Sequence, residues 1–154
     1  MLEAILVLAC YALVLAAAIG DVRHRHIPNL LCLVLAGVAL FYAIMTNDLA
    51  GVGSHLLHAV LALAVGMGLF ALGMIGGGDA KLYSAAALAI PFSRALSLLG
   101  WTSLVGLVLL VAMMILRRSL ALRKKGKTAF TVPYGVAIAG GLMLALLPDL
   151  EVVF

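Results

Sequence analysis

The amino-acid sequence predicts an all-α integral membrane protein, a bundle of about six transmembrane helices. Hydrophobic residues make up 66% of the chain and charged residues 10%, and the mean hydropathy is +1.28. These values are far above what the core of a soluble domain requires. At roughly 20 residues per spanning helix, about six crossings with short connections use all 154 residues. The sequence therefore predicts a single polytopic membrane domain over residues 1–154.

Apolar runs bounded by charged or turn-forming residues mark six candidate helices. They are expected at about 4–20, 30–46, 56–75, 80–93, 95–116 and 131–148. The fourth is short, because about 14 residues rise only ~21 Å as a helix while the hydrocarbon layer is about 30 Å thick. Its length alone leaves a re-entrant segment possible, so the distribution of charge has to decide between the two.

Basic residues indicate which ends of the helices face the cytoplasm. If the N-terminus is extracytoplasmic and all six segments cross, nine of the ten Lys and Arg residues fall on one side, and Arg94 is the exception. The nine are Arg23, Arg25, Lys81, Arg117, Arg118, Arg123, Lys124, Lys125 and Lys127. Cytoplasmic loops carry such an excess, and it would be lost if the fourth segment did not cross. The net charge of +4 is therefore interpreted as a topology signal, and no nucleic-acid partner is expected.

Two acidic residues remain on the cytoplasmic side, Asp21 and Asp79, each at a helix boundary. The other acids, Glu3, Asp48, Asp149 and Glu151, fall on the outer side. Carboxylates beside lipid are costly, so a pair at one level suggests a chemical role. Two adjacent carboxyl groups share a proton, and such a pair can activate water and protonate a peptide carbonyl. Asp21 and Asp79 are therefore candidate catalytic residues for peptide hydrolysis, which needs no cofactor and no metal.

The residues around Asp79 fit a site at which backbone comes close to a substrate. Gly76, Gly77 and Gly78 are expected to let the chain turn sharply and approach a substrate strand without side-chain obstruction. Asp79 is expected to be the N-cap of the fourth helix. Lys81 either pairs with Asp79 or marks the cytoplasmic face.

Two proline-containing motifs are expected to begin helices. Pro28 and Asn29 form a turn into the second helix, with Asn29 as its N-cap. The motif Pro133-Tyr134-Gly135 opens the sixth helix, where a proline in the first turn costs little.

The four histidines are not expected to bind metal. His24 and His26 lie in a basic loop with no Cys or acidic cluster to complete a zinc site. His55 and His58 are expected at the outer membrane interface, which leaves the membrane interior without ionisable groups.

Together, these motifs resemble those of the type IV prepilin leader peptidase family. The resemblance rests on Asp21 followed by Ile27-Pro28-Asn29, on Gly76-Gly-Gly-Asp79-Ala-Lys81-Leu82, and on Pro133-Tyr134-Gly135. The hallmark of that family is a Gly-x-Gly-Asp aspartate paired with an earlier one. The resemblance implies that Asp21 and Asp79 are catalytic, that the fold is a helical membrane bundle, and that the substrate is a prepilin leader at the cytoplasmic face.

The chain departs from longer family members in ways that narrow the expectation. Its first connection is only about nine residues and lacks the paired Cys-x-x-Cys motifs of members that also N-methylate pilins. It therefore resembles the short, peptidase-only branch associated with Flp-type, tight-adherence pili. That branch implies prepilin or pseudopilin substrates, the pilus assembly machinery as a partner, and the bacterial cytoplasmic membrane as the location. Archaeal preflagellin peptidases share the aspartate pair and remain an alternative.

Two functions of other classes also remain open. In a small proton-coupled transporter or channel subunit, buried carboxylates would relay protons. A relay would place acids at several depths, whereas Asp21 and Asp79 lie at one edge. In a scaffold subunit, neither aspartate would matter for function. The basic loop from Arg117 to Lys127 is expected to anchor the topology and to contact anionic lipid.

Overall fold

The computed structural model describes residues 1–121 and 133–151, and the side chains of residues 1–116 and 133–150. This part of the chain contains six α-helices, one short 3-10 turn and no strand, which confirms the all-α class. The helices are α1 (Leu2–His24), α2 (Asn29–Thr46), α3 (Leu49–Ala71), α4 (Gly77–Ala87), α5 (Ala95–Ala121) and α6 (Tyr134–Glu151), with the 3-10 turn at Phe92–Arg94. Residues 122–132, with most of the predicted basic loop, lie outside the described residues.

Four of the described helical segments are long and apolar enough to cross a membrane. They are Leu2–His24, Asn29–Thr46, Leu49–Ala71 and Phe92–Leu116, while Tyr134–Leu150 forms a shorter apolar helix. The chain is therefore a membrane protein by length and composition of its helices. Six crossings and an extracytoplasmic N-terminus remain predictions.

The third helix begins well before the predicted residue 56. Asp48 is its N-cap, and the Asp48 carboxylate accepts a hydrogen bond from the Gly51 N–H at 2.8 Å. The polar and glycine-rich start of α3 resembles a loop in sequence, but the cap and tertiary packing make it helical. The helix also ends at Ala71 rather than near 75, because Gly73 adopts a φ of +73°, which an L side chain rarely does.

The short fourth segment runs antiparallel to α3 over most of its length. The Ser84 hydroxyl donates to the Ala59 carbonyl at 2.8 Å, and the Phe92 N–H donates to the Ser54 hydroxyl at 3.0 Å. As a helix it has 11 residues and ends at Ala87, before the predicted residue 93. After Ala87 the chain continues along α3 through a tightened turn and the 3-10 turn. The segment that packs on α3 is therefore longer than its α-helical part.

Two buried histidines of α3 hold the end of the fourth segment. The Nδ1–H of His55 donates to the Leu88 carbonyl and that of His58 to the Ile90 carbonyl, each at 2.9 Å. Carbonyls at a helix end have no partner within the helix, and an apolar environment offers no water to replace one. Both histidines are buried within the protein, at 2% and 4% exposed, and both imidazoles are hydrogen-bonded. Their position relative to the membrane interface remains a prediction.

The other helices pack around α4 and α6. Helix α1 lies against α2 and α6, and α5 packs chiefly against α6. At the end of α6 opposite Tyr134, the Arg94 guanidinium donates to both carboxylate oxygens of Asp149, at 2.8 and 3.0 Å. Tyr11 of α1 donates its hydroxyl to the Met143 carbonyl at 2.8 Å. These contacts hold α6 at the centre of the bundle with its first turn facing α1.

Replacing His55 should destabilise the bundle. The variant His55→Ala leaves the Leu88 carbonyl buried without its donor, which should lower the free energy of unfolding by about 1–3 kcal/mol. Unfolding in detergent, followed by heat or denaturant, measures the change. The matched control is His26→Ala, because His26 is exposed and its removal should change stability by less than about 0.5 kcal/mol. Equal stability of the two variants would contradict the proposed capping role of His55.

Candidate active site

The carboxylates of Asp21 and Asp79 line one cavity of about 460 Å³. Asp21 is in the last turn of α1 and Asp79 in the first turn of α4, so the bundle brings together residues from two separate helix ends. The lining residues are Asp21, Val22, Arg25, Met74, Ile75, Gly76, Asp79, Met113, Pro133 and Tyr134. Both carboxyl groups are half-buried.

Asp21 is held through its side chain and its backbone. The Gly135 N–H donates to Asp21 Oδ2 at 2.8 Å, from the start of α6. This amide lies at a helix N-terminus, where the helix dipole favours negative charge. The Asp21 carbonyl accepts the N–H of Arg25 at 2.9 Å, and Arg25 ends α1 in the left-handed region with a φ of 52°.

Asp79 is the third residue of α4 and is not its N-cap. That position belongs to Gly76, whose N–H hydrogen-bonds the Asp79 side chain. This is one half of a capping box, in which the third helical residue reaches back to the N-cap amide. The predicted N-cap therefore lies three positions from the observed one. The glycine at the N-cap supplies a backbone donor, so no side chain is needed at that position.

The protonated form of Asp79 is more favoured in its environment than the protonated form of an ordinary carboxyl group is in water. Asp79 lies outside the four helices long enough to cross a membrane. Burial, and next the nearby Asp21 carboxylate, raise the pKa of Asp79 to about 6, while the hydrogen bond from Gly76 acts in the opposite direction. The two carboxyl groups are thus close enough to interact electrostatically and differ in their surroundings.

Gly76 is required for space rather than for an unusual turn. Its φ of −75° and ψ of 143° are open to any residue. A Cβ at this position would lie 2.6 Å from Asp79 Oδ2, well inside contact distance. The expectation of a sharp glycine turn at residues 76–78 was therefore wrong, and the positive φ in this region belongs to Gly73.

Gly77 and Gly78 lie within α4 and allow its first turn to pack closely. A Cβ on Gly77 would lie 3.3 Å from the Phe70 ring, and one on Gly78 would lie 3.4 Å from Ile27 Cβ. Gly77 and Gly78 do not line the cavity of Asp21 and Asp79. They position Asp79 by seating α4 against α3 and against the turn before α2.

The turn before α2 supports the start of α4. Asn29 is the first residue of α2 and Pro28 occupies the N-cap position, so the prediction of an Asn29 cap was wrong. The Asn29 side chain instead accepts a hydrogen bond from Lys81 Nζ at 3.0 Å, and within the described residues Lys81 forms no ion pair with Asp79. Ile27 is buried against Gly78. Pro28, Asn29 and Lys81 do not line the cavity and act as its supports.

Sequence reasoning missed the part played by α6. The motif at residues 133–135 was interpreted as a helix start and as part of the family resemblance but not as part of the site, yet Tyr134 lines the cavity and Gly135 binds Asp21. A signal was present, because the predicted topology places this motif at the same membrane face as both aspartates. Met74, Ile75 and Met113 also line the cavity, and their sequence context gave no such signal.

The fold and the cavity define a helical membrane protein with paired carboxyl groups at one end of the bundle. A model of the type IV leader peptidase family matches residues 8–111, about two thirds of the chain, including both aspartates. The chain belongs to this family, and the predicted resemblance is confirmed. Neither a curated protein nor a solved structure gives a significant match.

The close approach of Gly135 to Asp21 can be tested by adding one methyl group. A Cβ on Gly135 would lie 2.9 Å from both Cβ and Oδ2 of Asp21, so Gly135→Ala should displace the carboxylate. Peptidase activity should fall about 10- to 100-fold, as expected when a reacting group is misplaced by about 1 Å. The control is Gly37→Ala on α2, where a Cβ would meet nothing within 4 Å. Unchanged activity in Gly135→Ala would show that this contact does not position Asp21.

Proposed function

We propose that the chain is an aspartyl endopeptidase that removes the short basic leader from prepilin-like substrates at the cytoplasmic face of the membrane. The observation that carries the proposal is the shared cavity of Asp21 and Asp79, in which the Asp21 carboxylate helps to raise the pKa of Asp79 to about 6. Membership of the type IV leader peptidase family supports the peptidase chemistry and the substrate class.

The different surroundings of the two carboxyl groups suggest their roles. Asp21 accepts the Gly135 N–H at the start of α6, which orients its carboxylate towards the cavity, and we assign it the role of general base. Asp79 has the raised pKa and holds a proton more readily, which suits a general acid. The raised pKa of Asp79 is the reason for placing the shared proton of the pair on this residue in the proposed mechanism.

Hydrolysis then needs only these groups and one water molecule. Asp21 takes a proton from the water while the water oxygen bonds to the scissile carbonyl carbon. At the same time, Asp79 donates its proton to the carbonyl oxygen. The carbon–nitrogen bond of the resulting gem-diol intermediate breaks as the leaving amine takes the proton from Asp21, while one hydroxyl group of the intermediate returns a proton to Asp79. One water molecule is consumed, and the aspartate pair returns to its singly protonated state.

The substrate is proposed to be a prepilin or pseudopilin of the Flp, tight-adherence type, cleaved in a bacterial cytoplasmic membrane. A basic leader would enter a cavity that holds two acidic side chains, next to the predicted cytoplasmic face. Processing of an archaeal preflagellin instead would change the substrate but not the chemistry. The family match favours hydrolysis over a proton-coupled transporter or a scaffold.

The aspartate pair is tested by three isosteric replacements. Asp21→Asn and Asp79→Asn should each lower prepilin cleavage at least about 100-fold, because each removes one proton-transfer group. Cleavage is measured by the gel shift of a co-expressed prepilin. Asp48→Asn is the control, since Asp48 caps α3 and asparagine caps a helix as well as aspartate does. Normal processing by either dyad variant would exclude the proposed mechanism.

The pH dependence tests the assignment of roles. If Asp79 must be protonated, kcat/KM should fall as pH rises through about 6, approaching a tenfold loss per pH unit above it. The measurement is a pH–rate profile of kcat/KM with a cleavable prepilin in detergent micelles. The control variant Asp48→Asn should show the same decrease in kcat/KM with rising pH. A rate that rises through pH 6 would mean that Asp79 acts as the base.

A further inference from the structure

A second cavity of about 500 Å³ forms a groove between α3 and α5. Helix α3 forms one wall and α5 the other, while α4 and α6 form the floor. The lining residues are His58, Leu61, Ala62, Val65, Gly66, Leu69, Ile75, Asp79, Ala80, Tyr83, Ala95, Leu96, Leu99, Thr102, Ser103, Tyr134 and Ile138. This set is the α3–α5 groove, and it is apolar except near its ends and at a few hydroxyl groups.

The groove exists because its two walls pack against other helices instead of each other. Helix α3 packs chiefly against α4, and α5 chiefly against α6. Only 6% of the apolar window Phe92–Leu116 is buried, the lowest share among the four long helices. Leu61 of α3 and Leu99 of α5 line the groove and remain exposed. The described part of the chain therefore leaves the space between α3 and α5 unfilled, with room for another element.

The groove is continuous with the cavity of the two aspartates. Ile75, Asp79 and Tyr134 line both. Along α3 the groove extends from His58 to Leu69, which at 1.5 Å per residue is about 17 Å. That length is roughly half of the hydrocarbon thickness of a bilayer. An apolar helix in this groove would lie between α3 and α5 over about half of its membrane-spanning length and end beside Asp79.

We propose that the α3–α5 groove binds the apolar transmembrane helix of the uncleaved substrate, so that the leader junction lies between Asp79 and Asp21. This inference rests on the proposed function, because it takes the occupant to be a prepilin-like chain whose leader precedes such a helix. The two carboxyl groups lie at the end of the groove that is predicted to face the cytoplasm, where a basic leader would extend beyond the apolar helix.

The wall chemistry suits a helix. Helices in a membrane associate through close packing, which small side chains allow. Ala62 and Gly66 on α3 face Ser103 on α5 across the groove, with Ala80 on the floor between them. Gly66 packs closely on the floor of the groove, since a Cβ at this position would lie 3.0 Å from the Ala80 Cβ. These small residues provide depth for a helix whose own residues are apolar.

Cysteine cross-linking tests the groove independently of cleavage. The probe is a prepilin with one apolar helix that the wild-type chain cleaves, carrying a single cysteine in that helix. The enzyme carries Asp21→Asn, so the probe stays intact, and Cys10→Ala and Cys32→Ala remove the native thiols, which are both buried. Leu61→Cys and Leu99→Cys face the groove. Val60→Cys and Val108→Cys are exposed controls on the opposite faces of α3 and α5.

The groove-facing positions should cross-link to the probe at least about tenfold more than the controls, because side chains on opposite helix faces cannot both contact one bound helix. Equal yields at all four positions would overturn the proposal and leave the groove to lipid. Cross-links between two enzyme copies at Leu61→Cys or Leu99→Cys would also overturn it, in favour of a dimer.

The proposed chemistry can fail separately from the groove. Selective cross-linking together with normal cleavage by the Asp21→Asn enzyme would refute the aspartate mechanism and retain the groove. Loss of cleavage together with unselective cross-linking would refute the groove and retain the aspartate mechanism.

Discussion

The bundle depends on satisfying the backbone of a short helix in apolar surroundings. Helix α4 has 11 residues, and the carbonyls of Leu88 and Ile90, just beyond its last residue, accept hydrogen bonds from His55 and His58 of α3. Without those donors, buried carbonyl groups would remain unpaired at a depth where water is scarce. The same packing holds α4 against α3, puts Asp79 at the opposite end of α4, and leaves α5 free to lie further away.

The two carboxyl groups differ because they lie against different parts of the bundle. Asp21 ends α1 but faces the first turn of α6, where the Gly135 amide and the helix dipole stabilise negative charge. Asp79 begins α4 and receives a similar amide from Gly76, yet burial and the Asp21 carboxylate outweigh it and raise its pKa to about 6. In the proposed mechanism, these chemically identical side chains carry out opposite steps of proton transfer.

Several predictions were wrong for one reason, which is that sequence patterns describe neighbours along the chain. The glycines at 76–78 suggested a sharp turn, but Gly77 and Gly78 lie in α4 and Gly76 has an ordinary backbone conformation. Asp79 and Asn29 were expected to cap helices, yet neither occupies an N-cap position. For Lys81 an ion pair with Asp79 was one of two expectations, and its ammonium donates instead to the Asn29 amide oxygen.

By itself, the sequence determined the all-α membrane class, the approximate positions of most helices, the pair of aspartates and the family. These follow from hydropathy, charge distribution and short motifs, which act locally or through the membrane. Only the tertiary structure decided that α6 supplies a donor to Asp21, since Gly135 is 114 residues away in the chain. It also decided the capping of α4 by α3 and the groove between α3 and α5. Contacts of that kind depend on how whole helices pack, and no local pattern encodes which faces will meet.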